Sequence, residues 1–431
     1  MATPRGKTYS AASGASVYGG REPPGYAWAS GLAADTFTEL SGTAFSTWAA
    51  TGIPAGSYQG TDPKNSIVNA YCDPSYDATA GCQYLYGGGH GDGTCNAVIK
   101  FDHSTLTYSL AGSPTPPSKY PPSYYNGGSD QPGPLTYPSG ESGNGFFRDD
   151  LTDPADTAYN TARARASSHM YAAAAVRGTV THYFYLTYAE FDAATGTWAD
   201  TNVDIGAQLY AINPSYNSVP LQQGTVAVYD EETDRFYVTV VPGDAGGGWR
   251  SHIMEWNPTT RAIAALYETT SGTYGAMSES CSVVRVGRKL YCFNKVAAAY
   301  DQPQNMSQGF IFDMDAKTFK KFTCTGDVTG TTYSPTTGQE TIPAFYDGSM
   351  IRRWNYGSSY RSKIYSLNLT PVSGTGTSGD PYVLQQTERA ISGVGTMDPW
   401  YVYSRLVWNA TAGCALFIPR ATQNWRALKL S

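Results

Sequence analysis

Short runs of alternating apolar and polar residues, bounded by Gly, Asp or Asn, recur from about residue 65 to the end of the chain. Val226-Ala227-Val228-Tyr229-Asp230 returns through Arg235-Phe236-Tyr237-Val238, and Ser282-Val283-Val284-Arg285 returns through Leu290-Tyr291-Cys292-Phe293. Similar pairs centre on Asp347-Gly348 and Ala412-Gly413. Aromatic and β-branched runs of this length, with such punctuation, predict β-hairpins. A second feature recurs with them. Phe101-Asp102, Phe191-Asp192, Trp256-Asn257, Phe312-Asp313 and Leu367-Asn368 each end an apolar strand on an Asp or Asn, at spacings of 90, 65, 56 and 55 residues. A period near 50 with insertions predicts a propeller rather than a sandwich. No long segment repeats at 3.6 residues, so helix is expected to be scarce.

Six modules open near residues 65, 168, 225, 281, 343 and 404, and the last has only three strands before Leu430. The segment Asp35–Leu40 supplies a fourth, which closes the ring and hides an open edge. The expectation is an all-β chain: a single six- or seven-bladed β-propeller of four-stranded antiparallel blades over residues 35–431, closed by an N-terminal strand. Residues 1–34 form an extension, and residues 112–161 a long insertion.

Composition narrows the function. Charged residues are 15%, the net charge is −6 and no Lys/Arg block stands out, which argues against a nucleic-acid partner. No apolar stretch reaches the roughly 18 residues of a membrane span. Met1–Lys7 lacks the apolar core of a signal peptide; an extracellular or virion-associated protein is nevertheless expected from the low charge and the richness in Thr, Ser, Gly and Tyr. The seven cysteines form no CxxC pair, so neither a metal site nor a cofactor is expected. Cys72 and Cys82 flank a short loop and are placed to bond if the protein is exported, with buried free thiols as the competing reading.

The run Gly87-Gly88-Gly89-His90-Gly91-Asp92-Gly93 closes one strand and leads to the next, holding a titratable base and a carboxylate among five glycines. With Gly87-Gly88 after a second strand and aromatics after third strands, the chain resembles the kelch-type β-propellers. In a four-stranded blade, connections from strand two to three and from blade to blade share one face, and here they are the long ones. Long loops on one rim of a rigid scaffold carry binding or catalysis. His90, His169 and His252 fall on that face with Asp92, Arg165, Arg250 and Tyr171, whereas His103 and His182 belong to the opposite face and are expected to be solvated. Tyr124, in the Pro- and Tyr-rich insertion, is a candidate lid residue for stacking on sugar rings.

This His/Tyr/Arg set suits β-elimination on a uronic-acid glycan, in which a cation neutralises the carboxylate while a base removes the neighbouring proton. It is similar in fold and residue types to the propeller polysaccharide lyases, such as the ulvan lyases. The resemblance implies an acidic polysaccharide as partner, His90, His169 and Tyr171 as acid/base groups, and Arg165, Arg250, His252, Asp92 and Tyr124 as substrate-binding residues. The alternative reading is a non-catalytic glycan-binding or structural propeller, on a phage tail or a cell surface. The long-face carboxylates Asp92, Asp244 and Glu279 form no recognisable glycosidase pair.

Overall fold

The Asp or Asn that ends a strand caps the turn that follows it. In the computed structural model, Asp102 Oδ1 accepts the backbone N–H groups of Ser104 at 2.9 Å and Thr105 at 3.2 Å. Asp313 Oδ1 does the same for Asp315 at 3.0 Å and Ala316 at 2.9 Å, and Asn257 for Thr259 at 2.9 Å. These are Asx turns, in which a short polar side chain stands in for backbone. Four residues after each cap the chain turns left-handed, at Leu106 (φ 58°), Gly196 (φ 70°), Arg261 (φ 52°) and Lys317 (φ 55°). This combination reverses the strand in a four-residue loop.

The structure describes residues 25–55, 58–59, 68, 74–86, 94–95, 97–112, 173–184, 187–214, 216, 226–240, 252–269, 282–295, 304–327, 332–333, 343–354, 362–395 and 406–431. In chain order, β1 is Thr36–Glu39 and β2 Tyr58–Gln59. The first unit is β3 (Ser75–Asp77), β4 (Cys82–Leu85), β6 (Ile99–Asp102) and β7 (Thr107–Leu110), with β5 (Thr94–Cys95) pairing β2. The second is β8 (Ala173–Arg177), β9 (Val180–Phe184), β10 (Thr187–Asp192) and β11 (Thr197–Asp204). The third is β12 (Ala227–Asp230), β13 (Arg235–Val240), β14 (His252–Asn257) and β15 (Ala262–Glu268). The fourth is β16 (Ser282–Val286), β17 (Lys289–Lys295), β18 (Gln304–Asp313) and β19 (Thr318–Gly326), with β20 (Thr332–Tyr333) against β18. The fifth is β21 (Ala344–Tyr346), β22 (Ile351–Trp354), β23 (Lys363–Ser373) and β24 (Tyr382–Ala390). The sixth is β25 (Leu406–Asn409), β26 (Cys414–Phe417) and β27 (Arg426–Lys429), completed by β1, which pairs Thr36 with Lys429 and Glu39 with Arg426.

The protein is all-β with two short α-helices among the described residues, Phe45–Gly52 and Ile205–Ile212. The first covers β7, with Phe45 and Tyr108 rings 5.5 Å apart. The second bridges two units, since Gln208 Oε1 accepts the N–H of Ile263 at 2.9 Å. First strands adjoin one another: β8 lies beside β3 and β12, and β21 beside β16 and β25.

The joints between units differ in chemistry. Between the sixth and first, Phe101 stacks on Trp425 at 4.2 Å. Between the second and third, and between the third and fourth, the left-handed turn residue of the later unit reaches back as an ion pair. Arg261 bonds Glu190 through Nε (3.1 Å) and Nη2 (2.9 Å), and Lys317 bonds Glu255 at 2.8 Å. The fourth and fifth units are joined by backbone, β19 and β24 pairing in parallel from Phe322↔Tyr382 to Gly326↔Gln386.

Some boundaries depart from the sequence reading. The first described strands of the first two units are Ser75–Asp77 and Ala173–Arg177; the expected openings near 65 and 168 lie outside the described residues. Tyr382–Ala390 is a strand, and residues 374–381 turn back on the hairpin face. A bulge between Leu367 and Pro371 carries β23 past the expected stop at Asn368.

Candidate functional site

The first strands of all six units contribute to one cavity of about 940 Å³. Much of its wall is small and apolar, including Ala174, Ala227, Val283 and Ala344. Polar groups gather where the first hairpins turn: Tyr76, Asp77, Thr79, Tyr229, Glu231 and Arg285. The wall is thus mixed, small apolar residues inside and polar groups at the turns.

The charged members of this rim are already committed. Asp77 Oδ1 accepts the N–H groups of Thr79 and Ala80, both at 2.9 Å. Arg285 Nη1 donates to Glu231 and to the Tyr229 carbonyl, each at 2.6 Å, and Nη2 donates to Asp230 at 3.3 Å. Burial would raise the Asp230 carboxyl, but hydrogen bonds from Thr233 and Arg288 hold it below its ordinary value. The Tyr229 hydroxyl donates to Asp234 at 3.0 Å, and Asp234 is kept low chiefly by its hydrogen bond from Arg177. Tyr76 stacks on His103 at 5.3 Å. The rim therefore presents aromatic faces, two carboxylates and one guanidinium that is already paired.

Seven of the residues singled out in the sequence, His90, Asp92, Tyr124, Arg165, His169, Tyr171 and Arg250, lie outside the described residues. His252 is described. It is buried at the start of β14, hydrogen-bonded through Nε2 to the Tyr216 hydroxyl at 3.0 Å and 3.8 Å from Glu268. It belongs to a third strand and is not among the described residues lining the cavity. Tyr216 and Glu268 carried no signal in the sequence, because nothing local ties a loop tyrosine and a strand-end glutamate to a histidine between them.

His103 and His182, expected to be solvated, are buried. The neighbouring unit covers each of them: Asn409 and Trp425 pack on His103, and Phe236 on His182. Desolvation pushes the imidazoles down to about 3 and about 4 respectively. Cys82 is a free, buried thiol, pushed up to about 11 by burial, so the expected bond to Cys72 is not formed; Cys72 itself is outside the described residues. Among the described residues no His, Cys, Asp and Glu cluster could hold a metal ion, and no helix is long and apolar enough to cross a membrane.

No family profile and no curated protein matches the chain. Solved structures do. A GH43_1 enzyme from Xanthomonas citri matches at 10% identity and a TM-score of 0.36, over 76% of this chain and 96% of that one. The same enzyme complexed with xylotriose matches over 82% and 98%, again with a TM-score of 0.36 and 10% identity. A thermostable family-43 glycoside hydrolase matches at 10% identity and a TM-score of 0.32, over 77% and 92%. Likeness this distant transfers neither residues nor activity. The expectation of a β-eliminating lyase is corrected here: the similar structures include ones described as glycoside hydrolases, which cleave with water, and none of these is described as a lyase.

Proposed function

We propose that the six units are the blades of one closed propeller, and that the chain is a glycan-acting hydrolase holding its substrate at the axis of the ring. The observation that carries this reading is the cavity to which every first strand contributes and whose rim offers Tyr76 and Tyr229. Aromatic faces stack on sugar rings, and a rim with two carboxylates and one paired guanidinium does not call for an anionic ligand.

Hydrolysis of a glycosidic bond requires two carboxyl groups flanking it. Asp77 and Glu231 are occupied by a turn and by Arg285. The reacting pair is therefore sought among Asp92, Asp244 and Glu279, which the sequence places at the other mouth of the cavity, with the glycan running along the cavity between them and the tyrosine rim.

The test is a panel of neutral and uronic glycans, assayed for released reducing ends and for near-ultraviolet absorbance. Reducing ends without an absorbing product are expected. Of Asp92→Asn, Asp244→Asn and Glu279→Gln, the two that remove the reacting pair should each cost about 10²–10⁴-fold in rate. No reducing ends from any glycan, with no retardation in affinity electrophoresis, would overturn the reading.

A further inference from the structure

Two buried histidines bracket the first two units. His103 lies in the joint between the sixth and first, and His182 in the joint between the second and third. Hydrogen bonding fixes the proton on each ring. Asn409 Oδ1 accepts the N–H of Ala412, which orients its amide so that Nδ2 donates to His103 Nδ1 at 3.2 Å. His103 Nε2–H then donates to Gln83 Oε1 at 3.1 Å. At the other joint the Tyr188 hydroxyl spends its one proton on Glu190, at 2.8 Å, so His182 Nδ1–H must donate to Tyr188. His182 Nε2 is left as a buried acceptor with no partner among the described residues.

Neither ring can take a second proton in place. A proton on His103 Nδ1 would meet the donating amide of Asn409, whose orientation the turn holds. A proton on His182 Nε2 would have no acceptor among the described residues, beside the Phe236 ring at 4.5 Å. We infer that β3 to β11 form an acid-releasable segment of the ring, whose two flanking joints loosen when His103 and His182 are protonated while the fourth and fifth units stay closed.

The surroundings do not compensate either charge. His103 faces Tyr76 from β3, Gln83 from β4, Phe101 and the carboxylate of Asp102 from β6, Asn409 from β25 and Trp425 ahead of β27. Asp102 favours the charged ring, but burial outweighs it. His182 faces Arg177 from β8, Tyr188 and Glu190 from β10, and Phe236, Asp234 and Arg261 from the third unit. There two carboxylates are set against two guanidiniums, and burial again decides.

Both imidazoles are thus neutral in the closed ring and charge only in an opened one, so acid favours opening. The effect begins as pH falls below the ordinary histidine value of 6.5 and is complete near the depressed values of about 4 and about 3. By that linkage, opening at each joint rises roughly 10- to 100-fold between pH 7 and pH 4.5. The fourth and fifth units hold because β19 and β24 share backbone hydrogen bonds. Tyr76 stacks on His103, and β8 and β12 meet at the other joint, so both openings move the wall of the cavity.

Hydrogen exchange of the full chain, followed by mass spectrometry at pH 7 and pH 4.5 and corrected for intrinsic rates, tests this. Protection in β4, β6, β9, β10, β13 and β26 should fall by about 10–100-fold, while β17–β19 and β22–β24 keep theirs. His182→Gln should abolish the response at β9, β10 and β13 alone, and His103→Gln at β4, β6 and β26 alone. A uniform loss, a loss led by the fourth and fifth units, or variants that respond like the wild type would overturn the inference. If the variants fail to fold, NMR of the wild-type imidazoles decides: both silent from pH 7 to pH 5 supports it, and titration of either near pH 6.5 overturns it.

Discussion

Arg261 reaches from a left-handed turn in the third unit to grip Glu190 of the second, with Nε and Nη2 at 3.1 and 2.9 Å from the two carboxylate oxygens. Lys317 makes the equivalent reach from the fourth unit to Glu255 of the third. In these two units the turn that reverses the outer hairpin thus also ties its unit to the one before.

Losing Arg261 would leave Glu190 with Tyr188 and a largely desolvated charge. Burial alone would raise the Glu190 carboxyl; the Arg261 and Tyr188 hydrogen bonds keep it low. Arg261→Ala should cost about 1–3 kcal/mol, measured by urea unfolding. Arg261→Gly should cost less than Arg261→Ala by up to about 1 kcal/mol, because glycine takes a positive φ without strain. Equal stabilities for the two variants would show that the left-handed turn contributes nothing.

Asp230 has a fully buried side chain and accepts both Arg288 Nη1, at 2.7 Å, and Arg285 Nη2, at 3.3 Å. Asp230→Ala should destabilise the protein by about 3–5 kcal/mol, since two guanidiniums lose their shared partner. Its carboxyl is depressed in the folded state, so this stability is present above the unfolded value of 3.8 and is lost as pH falls through the lower folded value. Thermal melts at pH 7 and pH 3 check both points: the gap between Asp230→Ala and wild type should narrow in acid.

Gly196 and Gly413 both adopt a positive φ, at 70° and 63°. They differ in space. A Cβ on Gly196 would lie 2.8 Å from the Ala111 carbonyl oxygen of the preceding unit, whereas one on Gly413 would meet nothing within 4 Å. Gly413→Ala should cost about 1 kcal/mol, the backbone strain alone. Gly196→Ala should cost distinctly more, because the obstacle is main chain. Equal midpoints in thermal melts of the two variants would contradict the tight contact.

Phe37 of β1 is buried against Trp354 of the fifth unit, with ring centroids 4.8 Å apart. Phe37→Ala should cost about 3–5 kcal/mol as a core truncation. Removing residues 25–40 should do more, by baring the β27 edge to intermolecular pairing. Size-exclusion chromatography of that truncation should show association; a stable monomer would mean that β1 does not guard the edge.

Much of the fold was written in local pattern. Alternation placed the hairpins at 226–238 and 282–293, and the Asp or Asn after each third strand marked a turn that the side chain itself caps. The N-terminal strand was readable because six modules left the last one short. The candidate site was less so. The cavity depends on six first strands meeting, and no spacing along the chain records which small residues face it.

The chain by itself determined its hairpins, its turn chemistry and its all-β class, because each of these is decided within a few residues by backbone preference and the period-2 burial of strands. Only the tertiary structure decided what the joints contain. His103 reads as a turn residue and His182 as a strand residue with a polar neighbour; each is buried because a different unit closes over it. Arg261, Lys317 and Asp230 read as surface charges, yet each meets its opposite across a gap that the sequence spans with more than fifty residues. Desolvation and ion pairing act between surfaces brought together by the whole fold, so no local stretch encodes them.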